Sequence, residues 1–344
     1  MGAKCKSVRV ALALITGVVL AAALWPSSAL ADGPVTPIAT SYVARITSAP
    51  AGIEAKIVDG YLQVWMQVPP SETVEVLDYL GAPWVRFDRS GVYVNENSEM
   101  YYLSQTPVPE TPPANLTRTT PPRWLHVSSG HAYMWRDGRL HAFAAIALAP
   151  GTTFISSWRL PIRVDGRPAD ISGGIWYAGT PSIVWFWPIL VVLACILAAW
   201  RVRSPDLDRR LARGLAFALL VAIAVAGAGR ELHGRPHVTV GQVVLLVAIL
   251  AATGYGAWRL TSRRSGYLLL FVIAFASLWA GLILLPTLLH GYVLVALPGW
   301  LARTDTVVLL GGSVGLVLMA LRTLDALTAR GRARRERRAA SVAA

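Results

Sequence analysis

Residues 183–203 read IVWFWPILVVLACILAAWRVR, and this stretch decides the fold. From Ile183 to Ala199 no residue is charged, and Arg201 and Arg203 follow at once. An apolar run of nearly the roughly 20 residues needed to cross a bilayer, closed by arginine, is the pattern of a membrane helix. Four more runs follow, at Leu211–Ala228, Val238–Trp258, Tyr267–Leu289 and Thr306–Leu324. Upstream the chain is different. About 150 polar residues, one domain's worth, separate this stretch from an apolar segment at the N-terminus. The expected fold is a signal peptide, an all-β extracytoplasmic domain and an α-helical membrane domain of five transmembrane helices. The expected boundaries are 1–31, 32–181 and 182–325, with a basic tail over 326–344.

The N-terminal segment is read as the signal. Lys4, Lys6 and Arg9 precede the apolar core Val10–Leu24, and Ala29 and Ala31 supply small residues for cleavage. Cys5 would leave with it. Cys195 lies in the first span, so no disulfide is expected in the domain.

Arginine sets the topology. Arg201, Arg203, Arg209, Arg210 and Arg213 follow the first span, and Arg259, Arg263 and Arg264 the third. Arg330, Arg332, Arg334, Arg335, Arg337 and Arg338 crowd the tail. The positive-inside rule places these segments in the cytoplasm and the β-domain outside a plasma membrane crossed several times. The net charge of +13 is therefore a cytoplasmic surplus that meets anionic lipid rather than nucleic acid. Trp185, Trp187, Trp200, Trp258 and Trp300 fall near span ends, as interfacial aromatics do. No Asp, Glu, Lys, Arg or His falls in the middle of a span. This argues for an anchor or partner-binding bundle over an ion-coupled pump. Pro286 and Pro298-Gly299 mark breaks, and Leu288–Trp300 is expected to lie in the outer interface.

Between Tyr42 and Tyr177 short apolar runs alternate with turn residues, which predicts an immunoglobulin-like β-sandwich. Strands are expected at Tyr42–Ile46, Ile53–Val58, Tyr61–Val68, Thr73–Leu77, Trp84–Phe87 and Val92–Val94. Others are expected at Leu125–Val127, Ala132–Trp135, Phe154–Val164 and Ile175–Tyr177. Asp59-Gly60, Asp137-Gly138 and Asp165-Gly166 are hairpin-type turns. Glu96 and Glu99 belong to a solvated strand-end loop. Trp65, Trp84, Tyr101 and Tyr102 either fill the core or form a contact surface.

The six histidines are His126, His131 and His141 in the domain, His233 and His237 between the second and third spans, and His290 at the end of the fourth. With Met66, Met100 and Met134 they form a ligand set suited to copper. On a strand, however, His131 and Met134 would point to opposite faces. All six are tentative metal ligands; the plainer reading is surface and interface histidines. No nucleophile elbow, zinc-protease helix or phosphate loop occurs, so no catalytic residue is assigned.

The segment Tyr79-Leu80-Gly81-Ala82-Pro83-Trp84-Val85-Arg86, followed by Gly91-Val92-Tyr93-Val94-Asn95, resembles a group of actinobacterial exported membrane proteins. That group also carries a Trp-His-Asp-His-Arg-x-His-Trp-Met motif. Here Trp135, Asp137, Arg139 and His141 match it, whereas Arg136 and Gly138 replace two of its histidines and Ala142-Phe143 its Trp-Met. If the motif binds metal, the resemblance implies that most of the ligands are missing here. Trp158-Arg159, then Asp165-Gly166-Arg167-Pro168 and Gly173, are similar to the last strands of the periplasmic copper-resistance β-sandwich, with Arg167 in place of its histidine. These likenesses imply a sandwich fold. The first functional expectation is a non-enzymatic membrane protein whose outward domain binds an envelope partner or small ligand. Copper binding, delivery or import is the alternative, and an envelope enzyme the third.

Overall fold

The computed structural model describes residues 38–105, 109–141, 151–201, 205–233, 238–261 and 267–343. The signal segment and His237 lie outside the described residues. A sheet-rich N-terminal region is followed by helices, as the hydropathy pattern demands.

The sheet region holds strands β1 (Ala39–Thr40), β2 (Tyr42–Ser48), β3 (Glu54–Val58), β4 (Gln63–Gln67), β5 (Val74–Leu77) and β6 (Pro83–Asp88). It continues with β7 (Gly91–Asn95), β8 (Trp124–Ser128), β9 (Ala132–Arg136), β10 (Phe154–Val164) and β11 (Arg167–Tyr177). One antiparallel sheet has seven strands in the order β2-β11-β10-β5-β6-β7-β8, and a second has three, β3-β4-β9. This seven-to-three division differs from the four-to-three division of an immunoglobulin constant domain. The sheets enclose one core, in which Val64, Met66 and Trp135 meet Val76, Trp84, Val85, Phe87, Leu160, Ile162 and Ile171. Trp65 and Trp84 are both buried, so neither forms a contact surface.

Two of the three Asp-Gly turns are of the expected kind. Asp59 and Gly60 both have positive φ, as do Asp165 and Gly166, which suits the hairpin twist. Asp137-Gly138 is different. Asp137 caps a 3₁₀ turn, Gly138–Leu140, its carboxylate accepting from the backbone N–H of Arg139. A capping carboxylate thereby takes the place of the two-residue hairpin. The loop expected around Glu99 is a short helix, α1 (Glu99–Leu103), capped by the Ser98 hydroxyl, with Met100 driven into the core. Gly91 (φ 129°) lies where β8 crosses so closely that a Cβ would strike the Ser128 carbonyl.

After a 3₁₀ turn at Ile183–Phe186 come α2 (Trp187–Arg201), α3 (Pro205–Glu231), α4 (Val240–Thr261), α5 (Tyr267–Leu284), α6 (Pro286–Leu289) and α7 (Gly299–Ala343). Among the described residues three helices are long and apolar enough to cross a membrane: Leu207–Glu231, Val240–Thr261 and Gly299–Arg322. The first and fourth expected spans are shorter apolar helices, Ile183–Leu197 and Leu268–Leu284. Pro286 accounts for the fourth: it lacks an N–H and closes the helix at Leu284. The fifth span is displaced the other way. Its helix starts at Gly299, after Pro298, so Arg303 and Asp305 lie inside it rather than before it. It also runs without a break through the boundary expected at residue 325.

Glycines let the bundle close. Gly311 and Gly315 of α7 face Val192 and Ile196 of α2, Gly312 faces Leu215 and Leu219 of α3, and Gly281 of α5 faces Leu309 and Leu310. These close approaches are what small residues permit between packed helices.

Candidate functional site

The chain between α6 and α7 joins the two halves. Tyr292–Val293 forms β12, which pairs antiparallel with β1: Ala39 lies opposite Val293, and Thr40 opposite Tyr292. The Leu294 N–H donates to the Ile38 carbonyl and the Ala296 N–H to that of Gly229 at the end of α3. Ser41 Oγ lies 2.9 Å from His290 Nδ1. Gly291 passes so close to the Ala178 and Gly179 carbonyls that no Cβ fits. Residues 290–298 thus form a saddle beneath the β-domain. Arg303 holds it from below, donating to the carbonyls of Thr287 (3.0 Å), Gly291 (2.9 Å) and His290 (3.4 Å), with its guanidinium over the Trp185 ring. These contacts give irregular backbone at a helix break the partners it requires.

Above the saddle an aromatic series runs through the domain. His141 meets Tyr61 edge-on (5.7 Å), Tyr61 meets Tyr42 (6.0 Å), and Tyr42 meets Tyr177 (5.7 Å) beside the saddle.

A buried charged network occupies the other end of the 3₁₀ turn. Asp137 is 1% exposed. Its carboxylate accepts from the Trp135 indole (3.0 Å) and from Arg139 Nε (2.8 Å) and Nη2 (2.7 Å). Arg139 Nη1 donates to the Leu77 carbonyl, and its guanidinium covers the Tyr79 ring. Burial, then the charge of Asp137, pushes the Tyr79 hydroxyl up to about 12. Tyr79 as a whole is partly exposed, but its hydroxyl lies against Gly138, where burial acts on it. Nearby, Asp78 accepts from Ala82 N–H and the Ser98 hydroxyl. Burial, then the charge of Asp78, raises Glu99 above the ordinary glutamate range. Asn95 ties the neighbouring loops, donating to the Pro83 carbonyl (2.7 Å) and accepting from the N–H groups of Asn97 and Arg123. Trp135, Asp137 and Arg139 therefore act as framework, their polar atoms turned on one another, and Asn95 does the same for the backbone around it.

The edge strand β8 presents a different surface. Among the described residues it pairs only with β7. Leu125 (44% exposed) lies opposite the buried Val94, on the side that faces the core further along the sheet, and Val127 (41%) is the extra residue where the register shifts between His126 and Ser128. On its other face Arg86 is stacked between Tyr93 (4.9 Å) and Trp124 (4.7 Å), with Asp88 3.2 Å from its Nε. A paired strand on one side and open backbone on the other, flanked by exposed apolar side chains, is a template for a further strand.

The histidines have separate surroundings. His126 packs on Tyr93 (5.0 Å), its Nε2 3.3 Å from the Ser90 carbonyl. His131 lies before β9 and its carbonyl accepts from Val68 N–H. His141 lies against Tyr61 and His290 against Ser41. His233 follows α3, where burial pulls its imidazole below the ordinary histidine range and favours the neutral form. Among the described residues no group of three or more His, Cys, Asp or Glu side chains is arranged to hold a metal ion.

Hydropathy windows did not reveal Arg303 and Asp305. The Pro298-Gly299 pair could have done so, since proline often opens a helix. No protein-family model matches the chain, and no curated protein or solved structure is significantly similar to it.

Proposed function

We propose that this chain is a non-enzymatic, multi-pass plasma-membrane protein whose outward β-domain binds an envelope partner along the open edge of β8. The observation that carries this reading is that edge, with Leu125 and Val127 bare beside unpaired backbone. An added strand would bury both side chains and satisfy the free N–H and carbonyl groups together.

Five crossings behind a cleaved signal are part of the proposal, and the saddle supports them by parity. If α3 crosses, its end at Gly229 reaches the saddle, which also pairs with the β-domain. The short α2 must then cross as well, to return the chain to that side. If α4 crosses, α5 must do so for the same reason. The arginine-rich segments then share the opposite side, which the positive-inside rule assigns to the cytoplasm.

The test places a photo-crosslinking residue at Leu125 or Val127 in intact cells. One adduct of defined mass, abolished by Leu125→Asp with Val127→Asp and absent from a control site at Arg167, supports the reading. No adduct at either position overturns it.

Copper handling is the second reading. His233 and His290 both lie at the end of the bundle that meets the β-domain, and burial shifts His233 toward the neutral form that ligates metal. Stoichiometric copper in the purified full-length protein, lost on His233→Ala with His290→Ala, would support this reading. Its absence would remove it.

A further inference from the structure

The two ends of the β-domain expose different chemistry. Strand register shows which end is which. β11 runs toward the bundle: after Tyr177 come Ala178 and Gly179, whose carbonyls meet Gly291 of the saddle. β10 is antiparallel to β11 and begins at that end, with Phe154 opposite Trp176 and the Thr153 carbonyl accepting from the Tyr177 N–H. β5 is antiparallel to β10. It starts at the far end, where Val74 lies opposite Val164, and finishes toward the bundle at Leu77. The turn at residues 78–82 follows, and a second route ties it to the same end. The Tyr79 hydroxyl lies against Gly138, the Asp137 N–H donates to the Leu62 carbonyl, and Gly60 in that neighbouring turn lies against Thr40 and Leu294.

Toward the bundle, large apolar side chains stand in the open: Tyr79 and Leu80 (both 43% exposed) and Phe154 (49%). The far-end turns, at residues 49–52, 69–72, 88–90, 128–130 and 165–168, hold no Val, Leu, Ile, Met or aromatic residue. Arginines accompany the exposed apolar groups. Arg118 is exposed beside Gly81, and the Arg45 guanidinium lies over the Trp176 ring that Phe154 meets edge-on. The Glu99 carboxylate at this end is turned on the N–H groups of Tyr79 and Leu80.

The saddle on which this end packs joins helices whose apolar stretches stop at Glu231 and start at Gly299. Beyond the hydrocarbon, the headgroup layer is roughly 5–7 Å deep on each side, so it reaches the end of the domain seated on the saddle. Exposed aromatic residues and leucine with arginine beside them are the composition of an interfacial anchor. We propose that the bundle-facing end of the β-domain rests in the lipid headgroup layer, with Leu80 and Phe154 entering its apolar edge and Arg118 and Arg45 meeting lipid phosphate. The bilayer then steadies the domain at points away from the saddle. This inference requires the bundle to cross a membrane and is independent of the β8 edge and of copper.

The test uses the full chain with Cys195→Ser in nanodiscs of phosphatidylglycerol and phosphatidylcholine, carrying one nitroxide-labelled cysteine at a time. Labels at Leu80→Cys and Phe154→Cys should collide readily with dissolved oxygen and poorly with a water-soluble nickel chelate. A label at Arg167→Cys, at the far end, should do the reverse. If a cysteine variant does not fold, the unsubstituted protein decides. There, a lipid with a diazirine on its headgroup should form adducts with the peptides holding residues 80 and 154 and not with the one holding 165–168. A label at residue 80 or 154 as open to the nickel chelate as that at 167 overturns the proposal. So does shielding from both reagents, which means a protein cover, or a lack of lipid adducts at residues 80 and 154.

Discussion

Replacing Asp137 by alanine should be the most damaging single change in the β-domain. The carboxylate accepts from the Trp135 indole, from the Arg139 backbone and from two guanidinium nitrogens. Its removal strands a largely buried arginine and leaves an indole N–H unpaired in the core. Breaking one side of a buried ion pair costs about 3–5 kcal/mol, and an orphaned buried donor about 1–3 kcal/mol. These costs overlap. The Arg139 side chain is 15% exposed and recovers some water, so the expected loss is about 3 kcal/mol, the low end of the range. Asp137→Asn keeps one acceptor oxygen, enough for either the indole on Oδ2 or the Arg139 N–H on Oδ1 but not both, and should cost about 1–3 kcal/mol. The assay is hydrogen exchange of the slowest β4 and β6 amides in the full-length protein, since those amides report the opening free energy of the domain. A loss below about 1 kcal/mol for Asp137→Ala would refute the reasoning, because that is an ordinary substitution effect.

Three further outcomes follow from the same structure. Glu99 is raised above its ordinary range, so the folded domain holds that proton more tightly than the unfolded chain. Its contribution is complete below the ordinary glutamate value and is lost as pH rises through the folded one. Stability should therefore fall across that window in the parent protein, and Glu99→Gln should remove that part of the slope in a pH series of urea midpoints. Gly315→Val drives a side chain into Ile196 of α2 and should cost about 1–3 kcal/mol, read as a lowered thermal midpoint in nanodiscs. Gly254→Val in α4, where nothing lies within 4 Å, should leave that midpoint nearly unchanged. Ser41→Ala removes the partner of His290 Nδ1 and should speed hydrogen exchange at residues 290–298 while leaving β4 and β6 unaffected.

Much of this arrangement is legible in the chain. Alternating apolar residues locate the strands because each faces one core, and apolar length locates the long helices but not the bounds that Pro286 and Pro298 set. Strand partners are not legible in that way. Nothing local in Tyr292-Val293 announces that it will pair with Ala39-Thr40, and the saddle exists only through that contact across the chain. Asp137-Gly138 shows the limit of a two-residue turn signal: Arg139 and Trp135 recruit the carboxylate, and a 3₁₀ turn replaces the hairpin. Arg303 and Asp305 escape a hydropathy window because such windows begin where charge ends. A helix can begin earlier when its polar groups have partners, as Arg303 has in three carbonyls. The β8 edge is likewise invisible locally. Leu125 and Val127 read as ordinary strand residues, and only the place of β8 at the end of the sheet, with no further strand beside it among the described residues, leaves them bare.

The β-domain is fastened to the helical bundle through β1 and β12. The direct measurement pairs Thr40→Cys with Tyr292→Cys in a Cys195→Ser background and adds a membrane-impermeant oxidant to intact cells. Directly opposed antiparallel residues have Cα atoms about 4.5–5.5 Å apart, within disulfide reach. Rapid, nearly complete cross-linking within one chain is expected, with little for the offset pair Thr40→Cys with Leu297→Cys. Failure of the opposed pair to cross-link, or equal cross-linking of both pairs, would contradict that fastening.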